Sequence, residues 1–195
     1  MQKKKYYILL ASMLCICSWQ MNTVHAANDY ASAYMETVDA YEAEHNGEKT
    51  EYMDFRPKYR LIHIDNDGIP ELVAGADGYY VSVYTYKDGK VTQLMDDWGY
   101  GAFGNAGYYY LPKKNSVYND NADQAGLIRY DTFLKINAKH SKLVTTDTYE
   151  YHYNEKTESY TEVNGREDMP STDKYKIICG KKRYKKFMDY LRHLT

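Results

Sequence analysis

Two aspartates and a glutamate crowd a Gly-Ile-Pro turn in the stretch LIHIDNDGIPELVAGA, residues 61–76. Carboxylates on alternate residues ahead of a glycine are how a loop offers oxygens to calcium, which takes six to eight of them. With Gly68 as the sixth position of such a loop, Asp65 and Asp67 fall at the third and fifth. The Ile69 carbonyl then falls at the seventh and Glu71 at the ninth. Asp65, Asp67, Ile69 and Glu71 are therefore the candidate metal donors, and calcium is the expected cofactor. The first position would want an aspartate and holds His63, whose imidazole suits a hard cation poorly. The expected affinity lies at the weak, extracellular end of the calcium range. The same residues also suit a metal-free turn, in which Asp65 and Asp67 accept from backbone N–H groups while Gly68 and Pro70 shape the bend. Both readings make the loop a brace between strands.

No second motif nominates a catalyst. The chain carries no G-x-S-x-G, H-E-x-x-H or G-x-x-x-x-G-K. His45, His63, His140, His152 and His193 are scattered, and His140 and His152 sit in or beside a hairpin, which predicts surface roles. Cys179, within YKIICG, reads as a buried thiol. Carboxylate pairs for glycoside hydrolysis are defined by separation in space, and no two acids here stand out. The expected class is non-catalytic; the alternative is a secreted hydrolase whose catalytic residues the chain does not declare.

The ends describe an exported protein. Lys3, Lys4 and Lys5 precede the apolar run YYILLASMLCICSW (6–19), and Val24 and Ala26 suit a cleavage site. That run is shorter than the roughly 20 residues a spanning helix needs. Residues 1–26 are thus expected to be a signal peptide, residues 27–195 a single domain, and no stable membrane span remains. Cleavage removes three lysines and two of the three cysteines, leaving 22 bases against 27 acids and Cys179 alone. With no intramolecular disulfide, stability must come from a core, or from a core and an ion. The expected location is secreted or loosely cell-wall associated, because LPKKN (111–115) lies mid-chain and is no sorting tail.

The elements that position the acidic turn follow from periodicity. Tyr30, Tyr34, Val38 and Tyr41 recur at helical spacing within 28–45, with Asn28 or Asp29 as cap and Asn46-Gly47 as stop. Short apolar runs at 59–64 and 71–76 flank the turn, and 79–86 with 91–94 form a hairpin about Asp88-Gly89. Further strands are expected at 108–111, 127–136, 142–153 and 159–163. Tyr184, Phe187, Met188, Leu191 and Leu194 mark a second amphipathic helix with a basic outer side. The expected fold is α+β, an antiparallel β meander with both helices packed on one face.

The turn IDNDGIPELVAGA (64–76) resembles the D-x-D-G-D-G-x-x-D/E-L-x-V-G-A signature of FG-GAP and related propeller-type calcium loops. It is closer to the DIDGDGIPELI turn of uncharacterised exported domains of Gram-positive gut bacteria. In those a short helix precedes the turn and a YTYKDGK-like hairpin follows, as 28–45 and 84–90 do here. The resemblance spans roughly residues 28–95. It implies calcium held between the first two strands of a blade; one copy excludes a full propeller and leaves a single blade-like sheet.

Partners are expected among cell-wall polymers, glycans or a surface protein, and no nucleic acid. The basic helix could seek anionic polymers or a membrane surface, or simply be solvated or docked beside the acidic first helix. Tyrosines at alternate strand positions (80, 84 and 86; 149, 151 and 153) could form a glycan platform, or the core beneath the helices.

Overall fold

A computed structural model describes residues 29–195, residues 46, 48 and 103 excepted. The expected signal peptide and the Asn28 cap lie outside the described residues. Helix α1 occupies residues 29–44. Its Tyr34, Val38 and Tyr41 are buried at the predicted spacing.

Four strands follow in an antiparallel sheet of sequential order: β1 (Lys58–Ile62), β2 (Glu71–Ala76), β3 (Tyr80–Lys87) and β4 (Lys90–Gly99). Asp88 and Gly89 both take positive φ (51° and 78°), as a two-residue hairpin turn requires. Six more strands make a second antiparallel sheet: β5 (Asn105–Leu111), β6 (Ser116–Asp123), β7 (Ile128–Ile136), β8 (Leu143–Asn154), β9 (Ser159–Glu162) and β10 (Lys176–Ile177). Its order is β10-β5-β6-β7-β8-β9. Helix α2 (Tyr184–Arg192) closes the chain.

The α+β class is as expected, but the meander is divided between two sheets after β4. Glycines make the passage. Gly101 and Gly104 have φ of 83° and 90°, and a Cβ there would lie 2.3 Å from the Gly78 oxygen and 2.1 Å from the Ala122 oxygen. No other residue allows that backbone and those approaches together.

Three apolar layers result. Tyr34, Val38 and Tyr41 of α1 meet Phe187, Met188 and Leu191 of α2 over Tyr59, Leu72, Ala74 and Tyr86, so both helices cover the outer face of the first sheet. Between the sheets lie Ile62, Ile64, Val73, Val81 and Val83 against Tyr110, Val117, Leu134 and Ile136. On the far face of the second sheet, Tyr118, Phe133 and Tyr149 are capped by Met169 and Tyr175. Strand β2 is buried at all six positions because both of its faces are covered. Each fully buried large side chain contributes roughly 1.5–3 kcal/mol.

This layering answers for the tyrosine rows. Tyr80, Tyr84 and Tyr86 belong to the layer beneath the helices. Tyr149 is buried and Tyr151 donates to Met169 Sδ at 3.3 Å, so of that row Tyr153 is the most open. The first row and Tyr149 are core, Tyr151 is half-buried, and Tyr153 alone of the second row is exposed. The basic helix is docked: Tyr184 donates to Asp39 of α1 at 2.6 Å, and Arg183 pairs with Asp54.

Candidate metal centre

The acidic loop begins where β1 ends. Ile64 is drawn into the core between the sheets, and its N–H donates to Glu71 Oε2 at 2.7 Å. Glu71 is 1% exposed. Burial pushes its carboxyl up to about 8, with the charges of Asp65 and Asp67 adding and the Ile64 N–H opposing. Asp65 Oδ1 accepts from the Asp67 N–H (3.1 Å), and Asp67 Oδ1 from the Ile69 N–H (2.9 Å). These are the bonds of the metal-free turn, and they use only one oxygen of each aspartate.

The second oxygens face a residue from the other sheet. His140 Nε2 lies 3.6 Å from Asp65 Oδ2, and His140 Nδ1 lies 3.9 Å from Asp67 Oδ2. His140 stands in the turn between β7 and β8 with φ of 49°, its N–H donating to the Asn137 carbonyl at 2.9 Å. Thr85 Oγ1 of β3 is 3.4 Å from His140 Nδ1, and Lys87 Nζ is 3.9 Å from Asp67 Oδ2. Asp65 and His140 are buried, at 7% and 9% exposure.

A third turn stitches these two together. Between β5 and β6, Lys113 N–H donates to the His63 carbonyl (3.0 Å), while the N–H groups of Lys114 and Asn115 donate to that of Ile64 (3.1 and 2.8 Å). The Asn115 side chain then grips β7, accepting from Ile136 N–H at 2.7 Å and donating to its carbonyl at 2.9 Å. Three turns from two sheets meet at one corner.

One ligand atom from each of Asp65, Asp67 and His140 lies within 4.8 Å of the others, so the group could hold a metal ion. Metal–ligand bonds of about 2.1 Å set tetrahedral ligand atoms about 3.4 Å apart; the two contacts above use different nitrogens of His140, of which one ion takes one, so the three side chains would draw together from within 4.8 Å to bind it. Burial raises the Asp65 carboxyl, helped by the Asp67 charge and opposed by the Asp67 N–H and by His140; a divalent cation would relieve that cost. Of the four expected donors, Asp65 and Asp67 are brought together. Glu71 is committed to Ile64 and lies outside this group; the Ile69 side chain packs into the helix-covered layer, and its carbonyl, the donor expected, is not one of the side-chain atoms that make up the group. His140 is the donor that sequence reasoning missed. Its predicted surface role fails because the hairpin tip folds against the other sheet, and no local pattern announces that.

Two other polar groupings hold a hydroxyl or a thiol without pairing it to an imidazole. Asp97 stands between Ser82 and His45: Ser82 Oγ donates to Asp97 Oδ1 (2.8 Å), and His45 Nε2 lies 2.6 Å from Asp97 Oδ2. The hydroxyl therefore meets the carboxylate rather than the imidazole that would have to take its proton. Cys179 is half-buried, burial raises its thiol, and its charged neighbours are Asp77, Arg60, Lys181 and Lys58 rather than a histidine.

No protein-family model, curated protein or solved structure matches the chain. Among the described residues no helix is long and apolar enough to cross a membrane.

Proposed function

We propose that the chain is an exported, non-catalytic binding domain whose two sheets are clamped by a divalent cation on Asp65, Asp67 and His140. One observation carries this reading: two carboxylates from a loop of the first sheet and an imidazole from a turn of the second converge on one point. An ion there would add direct bonds between two sheets that already share a core and turn hydrogen bonds. The burial of Asp65 and His140 leaves a substrate little approach, which favours a structural ion over a catalytic one.

The donor set also bears on the metal. Calcium, expected from the turn alone, would have to accept a nitrogen or complete its shell from carbonyls and water. An imidazole beside two carboxylates suits zinc or another first-row ion better. Binding to the cell envelope or to glycans is the role the export signal suggests for such a domain. Titration calorimetry with zinc, manganese and calcium tests the clamp. One zinc equivalent should bind, at least tenfold more weakly in Asp67→Ala and in His140→Ala. Tighter calcium binding that ignores His140→Ala would return the site to the loop alone, and no binding of any ion would leave a bare turn.

A further inference from the structure

At the end of β2 opposite the acidic loop, the chain's crossing from one sheet to the other frames an open cavity of about 660 Å³. That volume lies within the range of small-ligand sites. Its walls divide by chemistry. Tyr79, half-buried, supplies ring surface and is braced by Phe55 at a centroid distance of 4.5 Å, while Tyr100 lines the wall with its ring buried in the core between the sheets. Tyr100 is fixed by its hydroxyl, which donates to Asp77 Oδ1 at 3.2 Å. Gly78, Gly99 and Gly101 leave stretches of backbone bare of side chain. Asp77 is the charged residue of the wall; its side chain is 53% exposed, and Lys58 Nζ stands 3.9 Å from its Oδ2.

These features select among ligand classes. An anion would meet the Asp77 carboxylate, which Lys58 offsets only from outside the wall. A simple cation would compete with Lys58 for the same carboxylate and leave the Tyr79 ring without a role. A neutral sugar uses both. Its C–H face lies on the Tyr79 ring, and its hydroxyls donate to the Asp77 carboxylate.

We infer that this cavity is a binding subsite for a neutral saccharide, with Tyr79 as the stacking surface and Asp77 as the hydroxyl acceptor. It gives the proposed binding domain a ligand class and rests on that half of the reading, not on the cation. No wall residue belongs to the Asp65, Asp67 and His140 group.

Gly99 provides a clean test. A Cβ there would meet nothing nearer than the Tyr79 oxygen at 3.8 Å, and its backbone is not left-handed, so a side chain can enter without strain. The mature chain is titrated calorimetrically with cellohexaose, xylohexaose, mannohexaose and hexa-N-acetylchitohexaose, with hexagalacturonate and hexalysine as charged counterparts. At least one neutral hexasaccharide should bind saturably. Binding should weaken at least tenfold in Asp77→Asn, which keeps an acceptor for Tyr100, and vanish in Gly99→Val with an unchanged melting temperature. Tyr79→Ala should also abolish it, and serves in place of Gly99→Val if that variant fails to fold. Binding of a neutral sugar that all three variants retain would overturn this site while leaving a binding domain. Preference for either charged probe, or no binding of any neutral sugar, would overturn the saccharide assignment, whatever the metal titration shows.

Discussion

Asp67 Oδ2 and His140 Nδ1 face each other at 3.9 Å across the join of the two sheets. The first belongs to the loop between β1 and β2, the second to the turn between β7 and β8. Without that approach the acidic loop is a well-made turn; with it, the loop supplies two of the three side chains that could hold a metal ion.

Lys87 competes for the position a cation would take. Its Nζ is 3.9 Å from Asp67 Oδ2, and a divalent ion bound to that oxygen must meet a like charge nearby. Lys87→Met should tighten zinc binding by about 3–10-fold, the modest effect expected of a partly solvated charge. Competition titration against a chelating dye measures it. Unchanged or weaker binding would remove the metal from Asp67.

Asn115 holds the corner together before any ion arrives. Its side chain satisfies both backbone groups of Ile136, and its own N–H bonds Ile64. Asn115→Gly keeps the left-handed backbone (φ 48°) and loses the side-chain bonds, which should cost about 2–3 kcal/mol. Asn115→Ala should cost about 1 kcal/mol more, for the strain of that φ. Denaturant melts of the two variants give both figures, and metal affinity should fall in each as the turns separate.

Glu71 should give stability an alkaline dependence. Its folded carboxyl is pushed to about 8, above the ordinary value of 4.5, so the folded state holds a proton that the unfolded state has released. The contribution is complete below the unfolded pKa and falls as pH rises towards 8, by at most about 1.4 kcal/mol per pH unit. Glu71→Gln mimics the protonated acid and keeps the acceptor for Ile64 N–H. Melts in chelator from pH 5 to 9 should therefore show wild type losing stability relative to Glu71→Gln. Parallel curves would contradict the burial argument.

Asp97 should act in the opposite sense. Burial alone would raise its carboxyl, but the bonds from Tyr41, Ser82 and His45 outweigh it and hold the group below its usual range. Tyr41 donates to it at 2.6 Å, so this residue ties α1 to β4. A depressed folded pKa contributes stability above the unfolded value and loses it as pH falls through the folded one. The free-energy gap between wild type and Asp97→Asn should be about 1–2 kcal/mol at neutral pH. It should close as pH falls below about 4.

Much of this was legible in the chain. Apolar spacing located both helices, and Asp88-Gly89 located its hairpin, because those signals are local. Strand β6 was not expected: its Asn119, Asp120, Asn121 and Asp123 are poor strand formers, held in place by ladders on both sides. Nor was the division into two sheets, which depends on close backbone approaches at Gly101 and Gly104. Asp65 and Asp67 were readable as a pair because their spacing is itself the signal. His140 was not, since only the folded corner sets it beside them.

Hydrogen exchange read segment by segment, with zinc and with chelator, tests the clamp most directly. If the ion joins the sheets, residues 63–70 and residues 137–142 should gain protection together on adding zinc, and His140→Ala should lose the gain at both. Protection confined to 63–70, or a gain that His140→Ala leaves intact, would contradict a cation shared between the two sheets.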